Sequence, residues 1–163
     1  MFSIGDTVFY ETHGVCTIVD IQEQTFSKKA ADYYILEPLQ NESLKLYHPV
    51  SSDHSKLTPI VSSDIAETIL DTFKKPSEDW NERAPERSQH YRTVLKTNDP
   101  VQIAQMVNTI MRKETELVQE NKKLHSQDDQ ILKRVLPNLY NELAVSLNIS
   151  ADEVKVKIDK LLG

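Results

Sequence analysis

The chain has 163 residues, of which 39% are hydrophobic and 27% charged, a balance that suits one ordinary globular domain or two small ones. Its net charge of −6 argues against a protein that coats nucleic acid by charge alone. The single cysteine, Cys16, closes no internal disulfide and has no CxxC partner for structural zinc. The opening MFSIGDTVFY lacks a basic start and a long apolar run, and no stretch of about 18 uninterrupted apolar residues follows, so the expected location is the cytoplasm, with no membrane partner.

The N-terminal part reads as a small sheet. Gly5-Asp6 precedes a strand over Thr7–Tyr10, His13-Gly14 makes a turn, and Val15–Ile21 supplies a second, β-branched strand. After a polar loop over Ser27–Asp32, Tyr33–Leu36 forms a third strand ending at Pro38, and Leu44–His48 a fourth ending at Pro49. Alternation in the fourth buries Leu44 and Leu46 and presents Lys45 and Tyr47 outward as a candidate binding face.

Metal and thiol chemistry are weighed here because His13 and Cys16 have an H-x-x-C spacing, with His48 and His54 following. Zinc needs three or four converging ligands, and a catalytic thiolate needs a base and an electropositive setting. Residues 1–75 instead carry a net −5, so a turn histidine and a buried cysteine are the expected reading, with no cofactor and no enzymatic site. The lone Gly14 is a turn rather than a phosphate loop.

Pro76–Arg92, PSEDWNERAPERSQHYR, divides the sheet-like half from a helical half and contains the only tryptophan, Trp80. With Glu78, Asp79, Asn81 and Glu82 around it, Trp80 either plugs a neighbouring helix or projects toward a partner. Residues 76–125 are electrically neutral, and Arg83, Arg87 and Arg92 follow the tryptophan closely. They read as local phosphate contacts or as solvated partners of Glu82 and Glu86.

Ahead of this segment, Ile65, Ile69, Leu70 and Phe73 share one helical face after Ser62-Ser63, an arrangement that would tie the two modules together. Pro85 fits the first turn of a helix to about Leu95, and Asp99-Pro100 offers an N-cap for a long helix striped from Ile103 through Leu124. Ser126-x-x-Asp129 starts the next, which Pro137 should kink or split, and Ser150-x-x-Glu153 is a capping box for the last. These leucine- and methionine-rich stripes are core packing rather than a ligand box.

The string GDTVFYETHGVCTIVDI resembles the CarD-like (CarD/CdnL) transcription regulators, whose N-terminal module also occurs in the transcription-repair coupling factor. The resemblance rests on Gly5-Asp6-x-Val8-x-Tyr10, the His13-Gly14-Val15 turn, a polar hairpin, Tyr33-Tyr34-Ile35-Leu36 and an apolar strand closing in Pro49. It continues through Ile65–Phe73, the tryptophan after a linker and the helical remainder, and so covers essentially the whole chain.

That resemblance implies an α+β protein with three parts. A Tudor-like β-barrel over residues 1–62 would hold the β subunit of bacterial RNA polymerase, a helix and linker would occupy 63–76, and an all-α, DNA-contacting domain would span 77–163. Trp80 would act as a wedge at the upstream edge of the promoter bubble, with Arg83, Arg87 and Arg92 on the phosphates. Gln24, Lys45 and Tyr47 would meet the polymerase, and Gln24 and Tyr47 stand where family members often carry basic residues. The implied protein is a monomeric, non-enzymatic regulator of promoter opening, and the alternative is a polymerase- or protein-binding adaptor without productive DNA contact.

Overall fold

The computed structural model describes residues 1–51 and 56–163, which divide into two compact units, Met1–Ile60 and Val61–Gly163. His54 lies outside the described residues.

The first unit is a five-stranded antiparallel sheet of β1 (Thr7–Tyr10), β2 (Gly14–Phe26), β3 (Lys29–Pro38), β4 (Leu46–Pro49) and β5 (Leu57–Pro59), in the order β4-β3-β2-β1-β5. The expected barrel is therefore an open sheet. Its edges, β4 and β5, are short and each ends in proline, which has no N–H to offer a further strand. Val8, Cys16, Ile18, Tyr34, Leu36 and Leu57 form the buried core, and the Tyr34 hydroxyl accepts the Phe2 N–H at 3.1 Å.

The fourth strand begins at Leu46 rather than Leu44, with Leu44 and Leu46 only half-buried, and the fifth strand is additional to those expected. Two further features also differ from the expected strands. The polar stretch Ser27–Asp32 is not a loop: only Ser27 and Lys28 turn, both with positive φ (52° and 65°), and the chain pairs again from Lys29. Two successive left-handed residues match the twist of a tight hairpin, so the hairpin is longer than its polarity suggests. Second, β2 carries a bulge at Val19, between the pairs Ile18–Leu36 and Asp20–Ile35. The extra residue changes which side chains point inward, from Cys16 and Ile18 before it to Ile21 after it, opposite Tyr34.

The second unit contains five helices: α1 (Ser63–Thr72), α2 (Ala84–Lys96), α3 (Pro100–Gln119), α4 (Ser126–Leu147) and α5 (Ala151–Leu162). Their starts follow capping chemistry. Ser62 Oγ accepts Ile65 N–H at 3.2 Å, Asp99 Oδ1 accepts Val101 N–H at 3.0 Å, and Ser150 and Glu153 satisfy each other's backbone N–H in a capping box. Asn98, Asn121 and Asn148 follow the ends of α2, α3 and α4 in the left-handed conformation, which asparagine tolerates.

The core gathers one stripe from each helix, including Ile69 and Phe73, Tyr91, Val107 and Ile110, Leu139 and Leu143, and Val154 and Ile158. Helix α1, within segment 63–76, contributes Ala66, Ile69 and Leu70 directly to this core. Helix α3 stops at Gln119, and Leu124 packs on the core from the following loop. Helix α4 continues through Pro137 unsplit, with Leu132 and Leu139 buried on either side of it. Burial of that stripe offsets a mid-helix proline that otherwise costs about 3 kcal/mol. No helix among the described residues is long and apolar enough to cross a membrane.

Candidate partner and nucleic-acid interfaces

On the sheet, the pairs Gln24–Ala31, Gln22–Tyr33, Tyr33–Pro49 and Ile35–Tyr47 place these residues on one face, since directly opposed residues in an antiparallel sheet point the same way. The bulge at Val19 puts Gln22, Gln24 and Phe26 on this face rather than in the core. Phe26 and Tyr47 are 46% and 45% exposed, an uncommon state for large aromatic side chains, and they meet edge to face. Their ring centroids lie 5.9 Å apart, and Phe26 lies 5.0 Å from Tyr33 in the same manner.

Gln24 is half-buried and donates to Gln22 Oε1 at 2.9 Å, while Lys45 forms a close ion pair with Glu37. Gln24, Lys45 and Tyr47 are the residues expected from sequence to meet a partner. Phe26 and Tyr33, not singled out from sequence, cluster with Tyr47 on the face that also carries Gln24.

His13, Cys16 and His48, weighed above for metal chemistry, have ordinary surroundings. Tyr10 stacks on His13 and meets His48 edge on, with centroids at 6.2 and 5.4 Å. Cys16 is buried, its thiol pushed up to about 11 by burial, so at neutral pH it carries negligible thiolate.

In the helical unit, residues 73–83 lie outside any helix, and Trp80 sits in this arm. The arm is held by α3 through its backbone. Arg112 Nη2 donates to Phe73 O at 2.8 Å, Asn108 Nδ2 to Lys75 O at 3.0 Å, and Thr109 Oγ1 accepts Glu78 N–H at 3.1 Å. Asn108 and Thr109 are buried polar residues on a helix otherwise striped with apolar side chains, and these bonds satisfy them.

Trp80 is half-buried, packs on the helical core and lies beneath two cations. Arg87 Cζ is 4.3 Å and Lys113 Nζ 5.5 Å from its ring centroid, both within cation–π range. The Arg87 guanidinium is also buried against Asp128 at the start of α4. Nε lies 3.1 Å from both carboxylate oxygens, Nη2 is 2.6 Å from Oδ2, and Nη1 donates to Asn81 O at 2.7 Å.

The side chains of Arg87 and Asp128 are only 6% and 1% exposed, so Arg87 is engaged inside the fold rather than offered to solvent. The reason is its helical face. Arg87, Ser88 and Tyr91 form the buried stripe of α2, and Ser88 adds a short hydrogen bond to Gln127.

Arg83 is 79% exposed and paired with Glu86 at 3.1 Å, and Arg92 is exposed, with Nε 3.4 Å from Ser88 O. Ala84-Pro85-Glu86 forms the first turn of α2. The structure therefore gathers Trp80 with Arg87, Lys113 and Asp128, and leaves Arg83 and Arg92 on the surface. Lys113, Asp128 and the α3 anchors were not singled out from sequence, although Arg87 and Tyr91 at i and i+4 already share an inward face.

Two comparisons with known proteins bear on this arrangement. Residues 2–61 match the CarD-like/TRCF RID domain, and residues 68–159 match the CarD C-terminal domain. Over 160 residues, 95% of this chain and 98% of the relative, the sequence is 24% identical to YdeB of Bacillus subtilis (strain 168), named as a candidate transcription factor.

Proposed function

Since the chain belongs to the CarD-like family, whose two domains together span most of its length, we propose that it is a transcription regulator that docks on the β subunit of bacterial RNA polymerase and stabilises the promoter open complex. The outer sheet face, with Gln24, Lys45 and Tyr47 now joined by Phe26 and Tyr33, is the polymerase-binding surface in this reading. Trp80 contacts DNA at the upstream edge of the bubble, where an inserted ring compensates for unstacking that costs about a few kcal/mol per step. Arg83 and Arg92 supply the phosphate contacts.

One observation carries the reading: a half-exposed tryptophan, on a non-helical arm, is held in place at both ends by side chains of the helical core. A fixed ring loses less freedom on insertion than a mobile one. Docking on polymerase raises the local concentration of promoter DNA, so few phosphate contacts suffice despite the net charge of −6. The protein then shifts an equilibrium and catalyses no reaction.

A second reading has its own support. Arg87 is occupied by Asp128, and Arg83 is paired with Glu86, which leaves few cations beside Trp80 for phosphate. This favours an adaptor that binds polymerase without productive DNA contact. Open-complex lifetime on a ribosomal-type promoter, measured with cognate polymerase, separates the two. The regulator lengthens the lifetime and Trp80→Ala abolishes that gain; the adaptor binds polymerase and leaves the lifetime unchanged.

A further inference from the structure

We propose that Arg87 and Asp128 form a positioning pair that fixes the orientation of the Trp80 ring, and that Arg87 is not itself a phosphate contact. The proposal rests on the tryptophan reading above for its purpose, but it concerns the free protein and is testable there.

The chemistry of one guanidinium carries the argument. Its Nε and Nη2 edge faces the Asp128 carboxylate, its Nη1 donates to the carbonyl of Asn81, next to the tryptophan, and its carbon lies 4.3 Å from the indole centroid. These contacts use different parts of one planar group, so the carboxylate that fixes the plane also determines where the neighbouring backbone and ring sit. Lysine, a flexible point charge, cannot meet all of them at once. Asp128 is itself fixed in the first turn of α4, beside the short Ser88–Gln127 bond.

The other end of the arm is held independently. Asn108, Thr109 and Arg112 bind the backbone of Phe73, Lys75 and Glu78, so the arm enters the tryptophan from a fixed point and Arg87 sets its exit. Lys113, one residue beyond Arg112 on α3, adds the second cation over the ring and is itself steadied by Glu116 at 3.3 Å. Loss of the Arg87–Asp128 pair should therefore free the ring while α3 keeps the arm attached. A pair that served only to join α2 to α4 would leave the ring's surroundings unchanged when conservatively altered.

Because Trp80 is the only tryptophan, fluorescence reports on it directly in the full chain. Asp128→Asn and Arg87→Lys should each raise the acrylamide quenching constant of Trp80 at least twofold and shift its emission to longer wavelength. Far-UV circular dichroism should be retained, and Lys133→Gln, a change at a surface lysine of α4, should match wild type. Unchanged quenching in a folded Arg87→Lys protein would overturn the proposal. That variant keeps the positive charge and decides the matter if Asp128→Asn does not fold.

Open-complex lifetime, measured in parallel, tests the purpose separately. If quenching rises but the wild-type protein has no effect on lifetime, the positioning pair stands and the promoter reading falls. If the wild-type protein lengthens the lifetime but quenching does not change, the promoter reading stands and the pair falls.

Discussion

Glu142 Oε2 accepts the backbone N–H of Val61 at 3.2 Å, joining the C-terminal half of α4 to the first residue of the helical unit, and Ser146 donates to Val61 O at 2.7 Å. Burial pushes the Glu142 carboxyl up to about 7, only partly countered by the hydrogen bond from Val61. The folded protein therefore holds this proton up to about pH 7, whereas the unfolded chain releases it near the ordinary glutamate value of 4.5. Between those values the folded state binds more protons, so the contribution of Glu142 to stability falls as pH rises through this window and levels off above it.

Glu142→Gln keeps an acceptor for Val61 and removes the titration. Relative to wild type it should gain stability with rising pH, by an amount on the order of a few kcal/mol between about pH 5 and about pH 8. Urea unfolding curves at the two pH values measure the difference. An equal effect at both would show that Glu142 does not titrate in this range.

The Arg87–Asp128 pair should respond differently to single and double replacement. Asp128→Ala leaves an uncompensated buried guanidinium and should cost about 3–5 kcal/mol of unfolding free energy. The double change Arg87→Met with Asp128→Leu removes both charges and should recover most of that loss, as read from denaturant midpoints. It should still leave Trp80 more exposed to quencher, which separates the stability of the pair from its orienting effect.

The hairpin tip offers a gain. Lys28 holds φ at 65°, a conformation that costs an L-residue roughly 1–2 kcal/mol, and glycine adopts it freely. Lys28→Gly should stabilise the sheet by about 1 kcal/mol, raising the midpoint of thermal unfolding. The same logic with opposite sign applies at Asn148, where φ is 55° and replacement by alanine should cost about 1 kcal/mol.

For the sheet face, Tyr47→Ala and Phe26→Ala each remove half of an edge-to-face pair on the proposed polymerase-binding surface. Each should weaken binding to the β subunit about tenfold, which corresponds to about 1.4 kcal/mol. Titration calorimetry with the isolated subunit fragment measures it. Lys45→Ala should have a smaller effect, because its charge is already shared with Glu37.

Much of the architecture was legible because it is written in local chemistry. Ser62, Asp99 and the Ser150–Glu153 box mark helix starts where the backbone needs acceptors, and the stripes on α3, α4 and α5 face the core as their spacing requires. What was not legible depends on partners distant in sequence. Nothing in the residues around Val19 announces a bulge, which exists only relative to β3, and Lys29–Asp32 extends a strand because β2 lies opposite.

The candidate site divides in the same way. Trp80, Tyr47 and the nearby arginines stand out as residue types, but the role of Arg87 depends on Asp128, which lies 41 positions away. A charged residue on the same face as Tyr91 signals an inward position before its partner is known. Asn108 and Thr109 gave no comparable signal, since polar residues on a long helix ordinarily face water.

The α3 anchors act on main-chain atoms of the arm: the carbonyls of Phe73 and Lys75 and the amide of Glu78. Such bonds do not depend on which side chains the arm displays. The exposed residues Lys74, Lys75, Ser77, Glu78 and Asp79 can therefore be exchanged, by mutation over generations or by design, without dislodging the tryptophan. The surface that the arm presents to a partner becomes adjustable independently of the scaffold, in the manner of a tool with a fixed shank and replaceable edge.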